Sequence, residues 1–473
     1  MKKYFYSSFV LCFFLIVSHY SRSQSPLPTR QQLAWHEMEF YLFMHFGPNT
    51  FTDKEWGEGN EPEDAFNPAN LDCRQWCRIA KASGAKGIII TAKHHDGFCL
   101  WPSKYSTHTV RESKWKNGQG DVLKELSQAC RENGLKFGVY LSPWDRNHPD
   151  YGTEKYNDVF VNMMKEIFQN YGPVWELWWD GANGEGPNGK KQVYDWRRFE
   201  NTVRQFSPKT VIFSDIGPDI RWVGNEIGIA GDPNWNFLDT DGFKRGNGAP
   251  PVDTLNHGNY DGAKWIPAEC DVSIRPGWFY HGTEDDKVKS PQQLFDLYLK
   301  SVGRGANLLL NVPPDRKGRI SEKDSTALIG FKMLRDESFV ENLLKQASTY
   351  YEFNQKDLSS NDLTFRSFDS VSSAYSINLQ NFIVQLPQPT KLNCIVLREA
   401  IHLGQTIRKF SIVLYNGSKA IKEIPGTSVG RKRILTFPAT TITSFKVYMV
   451  DAKGNDNVSG IAAYLIDEGL VEK

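Results

Sequence analysis

The sequence has almost no net charge, no long internal apolar run and no clustered cysteines. Lysine plus arginine number 56 against 55 aspartate plus glutamate, a formal net charge of +1. A nucleic-acid partner is normally met by a strongly basic face or tail, and this balance argues for none. A multi-span membrane protein needs several apolar runs of about 20 residues; the single candidate lies at the N-terminus. A disordered chain would carry more net charge and fewer apolar residues than the 40% present. Seven cysteines in 473 residues, none in a CxxC pair, exclude a Cys-dense disulfide scaffold and give a structural zinc site little support. No G-x-S-x-G elbow, Walker A loop or dinucleotide fingerprint is present. Hydrolysis by side chains is therefore the economical chemistry, and no cofactor or metal is expected.

Aromatic residues are abundant: 29 Phe, 19 Tyr and 14 Trp. Core packing absorbs many, but several Trp adjoin acids or histidines, as a sugar-binding surface would require. Lys2 and Lys3 precede a short apolar run, followed by Ser21-Arg22-Ser23. This pattern predicts a secretory signal peptide over 1–23, export to the periplasm or the medium, and no membrane span after cleavage.

From about 33 to 340, short apolar runs alternate with amphipathic stretches. Strands are expected over 41–46, 87–92, 136–141, 174–179, 211–214, 265–268 and 306–312. Helices are expected over 68–83, 120–133, 155–171, 194–206 and 291–302. This alternation predicts an α/β fold of (β/α)8 barrel type over 24–345. The Gly/Asn/Asp/Pro-rich stretch 231–262 is expected to form a long loop over one barrel face. Beyond it, short Val/Ile/Thr/Tyr-rich runs with turns such as Asn416-Gly417 predict an antiparallel β-sandwich over 346–473.

Catalytic side chains of such barrels sit at the C-terminal ends of the strands. Four expected strand ends carry polar clusters. One is Met44-His45-Phe46-Gly47, followed by Glu55-Trp56. Another is Ala92-Lys93-His94-His95-Asp96-Gly97-Phe98, whose paired histidines suit bonding to a polyhydroxylated ligand. These are also metal-ligand types, but the adjacent pair lacks the i, i+4 spacing of helical zinc motifs. A third is Tyr140-Leu141-Ser142-Pro143-Trp144-Asp145. The fourth, Trp178-Trp179-Asp180-Gly181, places a carboxylate beside aromatic faces, where it could attack an anomeric carbon. Glycoside cleavage needs a second carboxyl in a different environment. Glu226 and Glu269, both with aromatic sequence neighbours, are the candidates. Arg221 and Arg275 are possible partners for a carboxylate.

These segments, with Asn307-Leu308-Leu309-Leu310-Asn311-Val312, resemble the catalytic domain of glycoside hydrolase family 29, the α-L-fucosidases, over residues 33–340. The resemblance implies a retaining double displacement with Asp180 as nucleophile. It also implies that His45, Glu55, His94, His95, Tyr140 and Trp178 hold fucose and wall its pocket. Asn225-Glu226 and Pro267-Ala268-Glu269-Cys270-Asp271-Val272-Ser273 through Trp278-Phe279 resemble the branch that cleaves α-1,3/4-linked fucose. That resemblance makes Glu226 the acid/base, with Glu269 the runner-up. Trp56 and Trp278 join the pocket aromatics. The implied partner is a fucosylated glycan. The competing expectations are an inactive fucose-binding protein on the same scaffold, a fucosidase of α-1,2 or broad linkage preference, and a metal-dependent hydrolase built on His94 and His95.

Overall fold

The structure, a computed structural model, describes residues 25–353, 356–358, 377–378, 381–454 and 457–471. The expected signal peptide lies outside the described residues. Among the described residues, no helix is long and apolar enough to cross a membrane.

Eight parallel strands form a closed barrel: β1 Phe40–Met44, β2 Gly87–Lys93, β3 Lys136–Leu141, β4 Glu176–Trp178, β5 Val211–Ser214, β6 Ile220–Trp222, β7 Ala268–Ser273 and β8 Asn307–Asn311. They follow one another in chain order, and β8 pairs back onto β1. Helices Cys73–Ala82, Val122–Asn133, Glu154–Tyr171 and Trp196–Phe206 follow the first four strands, and Pro291–Lys300 and Glu322–Ser338 follow the last two. Their starts are written locally. The side chains of Asp72, Asp121, Asp195 and Ser290 each accept the backbone N–H three residues on, which satisfies a donor the helix itself leaves open.

Three departures from the expected elements occur near β6. Five residues separate the end of β5 from this three-residue strand, with no helix between them. Segment 231–266 covers the outer face there. Arg221, fully buried on β6, donates to the carbonyls of Leu255 (2.8 Å) and Ile266 and to Asn234 Oδ1 (3.1 Å). Ile216, Leu238, Leu255 and Ile266 form a small apolar cluster beside it. The expected loop 231–262 thus contains a helix, Val252–His257, and a strand, Phe237–Leu238. The expected strand 265–268 is also divided. Trp265 pairs with Phe237 in a two-stranded ribbon, and Ala268 opens β7. Pro267 separates them, having no N–H to give a ladder.

The barrel interior is packed with Tyr41, Phe43, Ile89, Tyr140, Trp178, Val211, Phe213, Ile220 and Leu309, alongside Trp35 and Met38. It also contains two fully buried acids, Glu176 and Glu269. Trp35 Nε1 donates to Glu176 (3.2 Å), while Tyr41 O–H and Trp178 Nε1 (2.9 Å) donate to Glu269. Burial and the neighbouring Glu269 push Glu176 well above the usual carboxylate range, and burial raises Glu269 too. The pair therefore retains a proton instead of placing two charges side by side.

The second domain is built on two long antiparallel strands, Asn381–Glu399 and Arg433–Ala452. Register breaks at Gln385/Thr390 and Leu392/Cys394 divide them into two layers. The first layer adds Ser348–Phe353 on one side, and Ile407–Asn416 then Lys419–Gly426 on the other. The second adds Asn457–Tyr464. Residues from both, including Val384, Ile395, Leu397, Ile412 and Phe445, share one core, as in a β-sandwich. Arg431 and Lys432 attach this domain to Glu37 and Glu39, which immediately precede β1.

Arg275 follows β7 and is fully buried. It pairs with Asp324, equally buried, at 3.0 Å and reaches Asp285 (2.9 Å) and Ser321 (3.0 Å). Removing Asp324 leaves the buried guanidinium with only the half-exposed Asp285 as its ionic partner. Asp324→Ala is predicted to lower stability in urea by about 3–5 kcal/mol, and Arg275→Met with Asp324→Leu by less. A loss under about 1 kcal/mol for Asp324→Ala would contradict this account.

Candidate active site at the barrel mouth

Asp180 lies two residues beyond β4, with its side chain 26% exposed. One carboxylate oxygen, Oδ1, accepts the Ala182 N–H (2.8 Å). The other, Oδ2, accepts the Tyr140 O–H (3.0 Å) and lies 3.8 Å from His95 Nε2. Burial, then the Asp180 charge, push the Tyr140 phenol well above its usual range, so it remains a donor. The carboxylate is thus aimed by two donors that come from different strand ends.

His95 faces it, and His94 and His45 continue from His95 in a row of ring contacts. The orientation of His45 can be derived from its contacts. The His45 backbone N–H (3.2 Å) must donate to Asn311 Oδ1, while Asn311 Nδ2 donates to the Trp278 carbonyl (2.8 Å) and Ser273 Oγ (2.9 Å). The amide is thereby fixed, and its oxygen accepts from His45 Nδ1 (2.9 Å). When neutral, His45 is left with a lone pair on Nε2. Burial lowers His45 to about 3 and His95 to about 4, so both are neutral at ordinary pH and offer acceptors to hydroxyl groups. His94 stacks on Tyr140, with ring centres 5.7 Å apart, and meets the edge of Phe279.

The rim supplies the second acid. Glu226 is exposed on the segment after β6, and its Oε2 accepts Trp278 Nε1 (3.2 Å). Trp278 in turn leans on His45, with ring centres 5.0 Å apart. Trp56 is 53% exposed and meets His95 and Trp144 edge-on. Asp271, buried beneath the rim on β7, accepts Trp222 Nε1 (2.9 Å). Burial, then Glu226 and Glu269, hold Asp271 well above the usual carboxylate range.

His45, His94, His95, Tyr140, Asp180, Trp56, Trp278 and Glu226 therefore form one continuous cluster. Three candidates take up other positions. Glu269, the second residue of β7, is 0% exposed and bonded inside the barrel. Trp178 is sandwiched between Phe213 and Tyr140, its partners in strand register, so neither indole face is open to a sugar. Glu55 accepts the backbone N–H groups of Trp278 (2.8 Å) and Phe279 (3.0 Å) and contacts His281 Nε2 (2.7 Å), so it positions the loop bearing Trp278. Asp215 is absent from the sequence candidates, and Asn311 enters them only within the segment 307–312. Asp215 follows β5 directly and packs against Gly181. Burial raises it to about 6, which the Arg245 charge opposes. The strand-end criterion, applied to β5 and β8, would have named both residues. The arrangement presents one aimed carboxylate, a second carboxyl at the rim and neutral hydroxyl acceptors between them, as glycosyl transfer requires.

The family profile described as Alpha-L-fucosidase matches residues 16–331. Alpha-L-fucosidase 1 of Arabidopsis thaliana is 40% identical over 449 residues, covering 93% of this chain and 88% of that protein. The crystal structure of a glycoside hydrolase 29 family member from an unknown rumen bacterium superposes with a TM-score of 0.84 at 40% identity, covering 94% of this chain and 78% of that one. A Ruminococcus gnavus GH29 fucosidase in complex with fucose gives a TM-score of 0.82 at 30% identity, covering 94% and 96%.

The neutral histidines have a consequence for stability. His45 titrates at about 3 when folded and near 6.5 when unfolded, so only the unfolded chain gains this proton between those values. Its contribution to stability is complete above about pH 6.5 and declines as the pH falls towards 3. Between pH 7 and 4.5, His45→Gln is predicted to lose about 2–3 kcal/mol less stability in urea than the parent. Equal losses would show that His45 is not buried in its neutral form.

Proposed function

The chain belongs to the α-L-fucosidase family, glycoside hydrolase 29, and we propose that this α-L-fucosidase is a retaining exo-enzyme. It releases terminal α-1,3/1,4-linked L-fucose from fucosylated oligosaccharides and glycoconjugates. The observation that carries the reading is the aim of Asp180, held by Tyr140 and Ala182 at the end of β4, with Glu226 on the rim beside Trp278.

In the first step, Asp180 attacks the anomeric carbon and the glycosidic C–O bond breaks. Glu226 gives its proton to the departing oxygen, leaving fucose esterified to Asp180. In the second step, Glu226 removes a proton from water, whose oxygen attacks the same carbon and frees Asp180. Inversion at each step returns the original configuration. His45 and His95 accept hydrogen bonds from sugar hydroxyls through Nε2, and Trp278 and Trp56 supply aromatic surface. Glu226 is favoured over Glu269 as acid/base because it is exposed at the mouth, where a leaving group can reach it, whereas Glu269 is enclosed. The α-1,3/4 preference rests on the likeness around Glu226 and Trp278. The N-terminal charge and apolar pattern support export to the periplasm or the medium.

Two measurements test this reading. Asp180→Ala should fold and lose about a thousandfold or more in kcat, while Glu226→Ala should be partly rescued by azide, which replaces the base-activated water. Near-normal turnover of a folded Asp180→Ala protein would end the nucleophile assignment; rescue of Glu269→Ala but not of Glu226→Ala would move the acid/base. Side-by-side hydrolysis of α-1,2-, α-1,3- and α-1,4-fucosylated oligosaccharides should favour the 1,3 and 1,4 linkages. Preference for the 1,2 linkage would overturn the branch assignment.

A further inference from the structure

We propose that Ser142 is a positioning residue that locks His95 in its Nδ1–H tautomer and so keeps an N–H away from the Asp180 carboxylate. Ser142 Oγ lies 2.8 Å from the Trp144 carbonyl oxygen, which can only accept, so the hydroxyl proton is committed there. The same carbonyl accepts from the buried Lys93 ammonium (3.2 Å). Lys93 is itself fixed by donating to Asp145 Oδ2 (3.2 Å) and to the Tyr156 hydroxyl oxygen (3.2 Å). With its proton used, Ser142 Oγ can only accept from His95 Nδ1, 2.8 Å away. A neutral imidazole carries one N–H, so Nε2 is bare.

That bare nitrogen faces Asp180 Oδ2 at 3.8 Å. In the opposite tautomer an N–H would point at a carboxylate that already accepts from Tyr140 and Ala182. A third donor would stabilise the charge that must attack carbon, and so weaken the nucleophile. The bare Nε2 leaves Asp180 less stabilised and is free to accept a hydrogen bond from a sugar hydroxyl.

The inference rests on Asp180 as nucleophile, but its first test needs no substrate. Nitrogen NMR of protein labelled with 15N-histidine, with the signal assigned by its loss in His95→Gln, should show the Nδ1–H tautomer for His95. In Ser142→Ala the signal should move towards the Nε2–H tautomer, and kcat should fall by about tenfold or more. An Nε2–H tautomer in the parent protein would overturn the proposal, even if Ser142→Ala does not fold. So would an unchanged tautomer in folded Ser142→Ala, or a shifted tautomer with kcat within twofold of the parent. Failure of the parent to hydrolyse any fucoside would instead remove the functional reading and leave the tautomer result standing.

Discussion

The hydrogen bond from Trp178 Nε1 to Glu269 Oε1, 2.9 Å long inside the barrel, holds the layer on which the mouth is built. It anchors one end of the indole, while Phe213 and Tyr140 cover its two faces. Tyr140 is thereby held at the height from which its hydroxyl reaches Asp180. An apolar residue at 269 would leave the indole N–H buried without a partner, which costs more than one missing contact. A single charged carboxylate would be costly to bury here as well. Pairing Glu269 with a protonated Glu176 provides the acceptor at lower electrostatic cost. This interior acid pair is therefore part of how the outer acid is aimed.

Burial sets the chemistry of the mouth as much as its shape. His45 and His95 are held neutral by desolvation, so they accept hydrogen bonds and do not act as cations. Asp271 and Asp215 are raised by the same cause. The result is a pocket in which neutral histidine acceptors and one protonated acid, Asp271, accompany the aimed carboxylate. Such a pocket suits a neutral polyhydroxylated ligand, whose hydroxyls supply the missing donors. The rim depends on more distant groups. Glu55 and Asn311 fix the loop that carries Trp278, and Trp278 bonds Glu226.

Much of this was legible because a hydrophobic run that stops abruptly at His94-His95 or at Asp180 has few explanations other than a strand end. The barrel followed from repeating that pattern, and the sandwich from the change to short β-rich runs. Long-range structure was not legible. The three residues Ile220–Trp222 are too few to show a period, and their strand exists because β7 offers it a ladder. Glu55 reads as a pocket residue until the backbone of Trp278, more than 200 positions later, occupies its oxygens. Trp178 reads as a stacking platform until strand register covers both its faces. Glu269 reads as a catalytic candidate because an acid among apolar residues suggests a site. Local sequence has no way to indicate that its partner is another buried acid, Glu176.

The central claim is that the barrel presents Asp180 as the group that bonds to sugar carbon. With fluorine in place of the ring 2-hydroxyl, a fucosyl fluoride slows both steps, and its fluoride leaving group restores formation of the covalent intermediate while breakdown stays slow. Incubation of the intact enzyme with this reagent, followed by proteolysis and mass spectrometry, measures the claim directly. The account predicts one fluorofucosyl group per chain, on the peptide containing Asp180 and absent from Asp180→Ala. Labelling of Asp215 or Glu226 instead, or release of product with inverted configuration and no adduct, would contradict it.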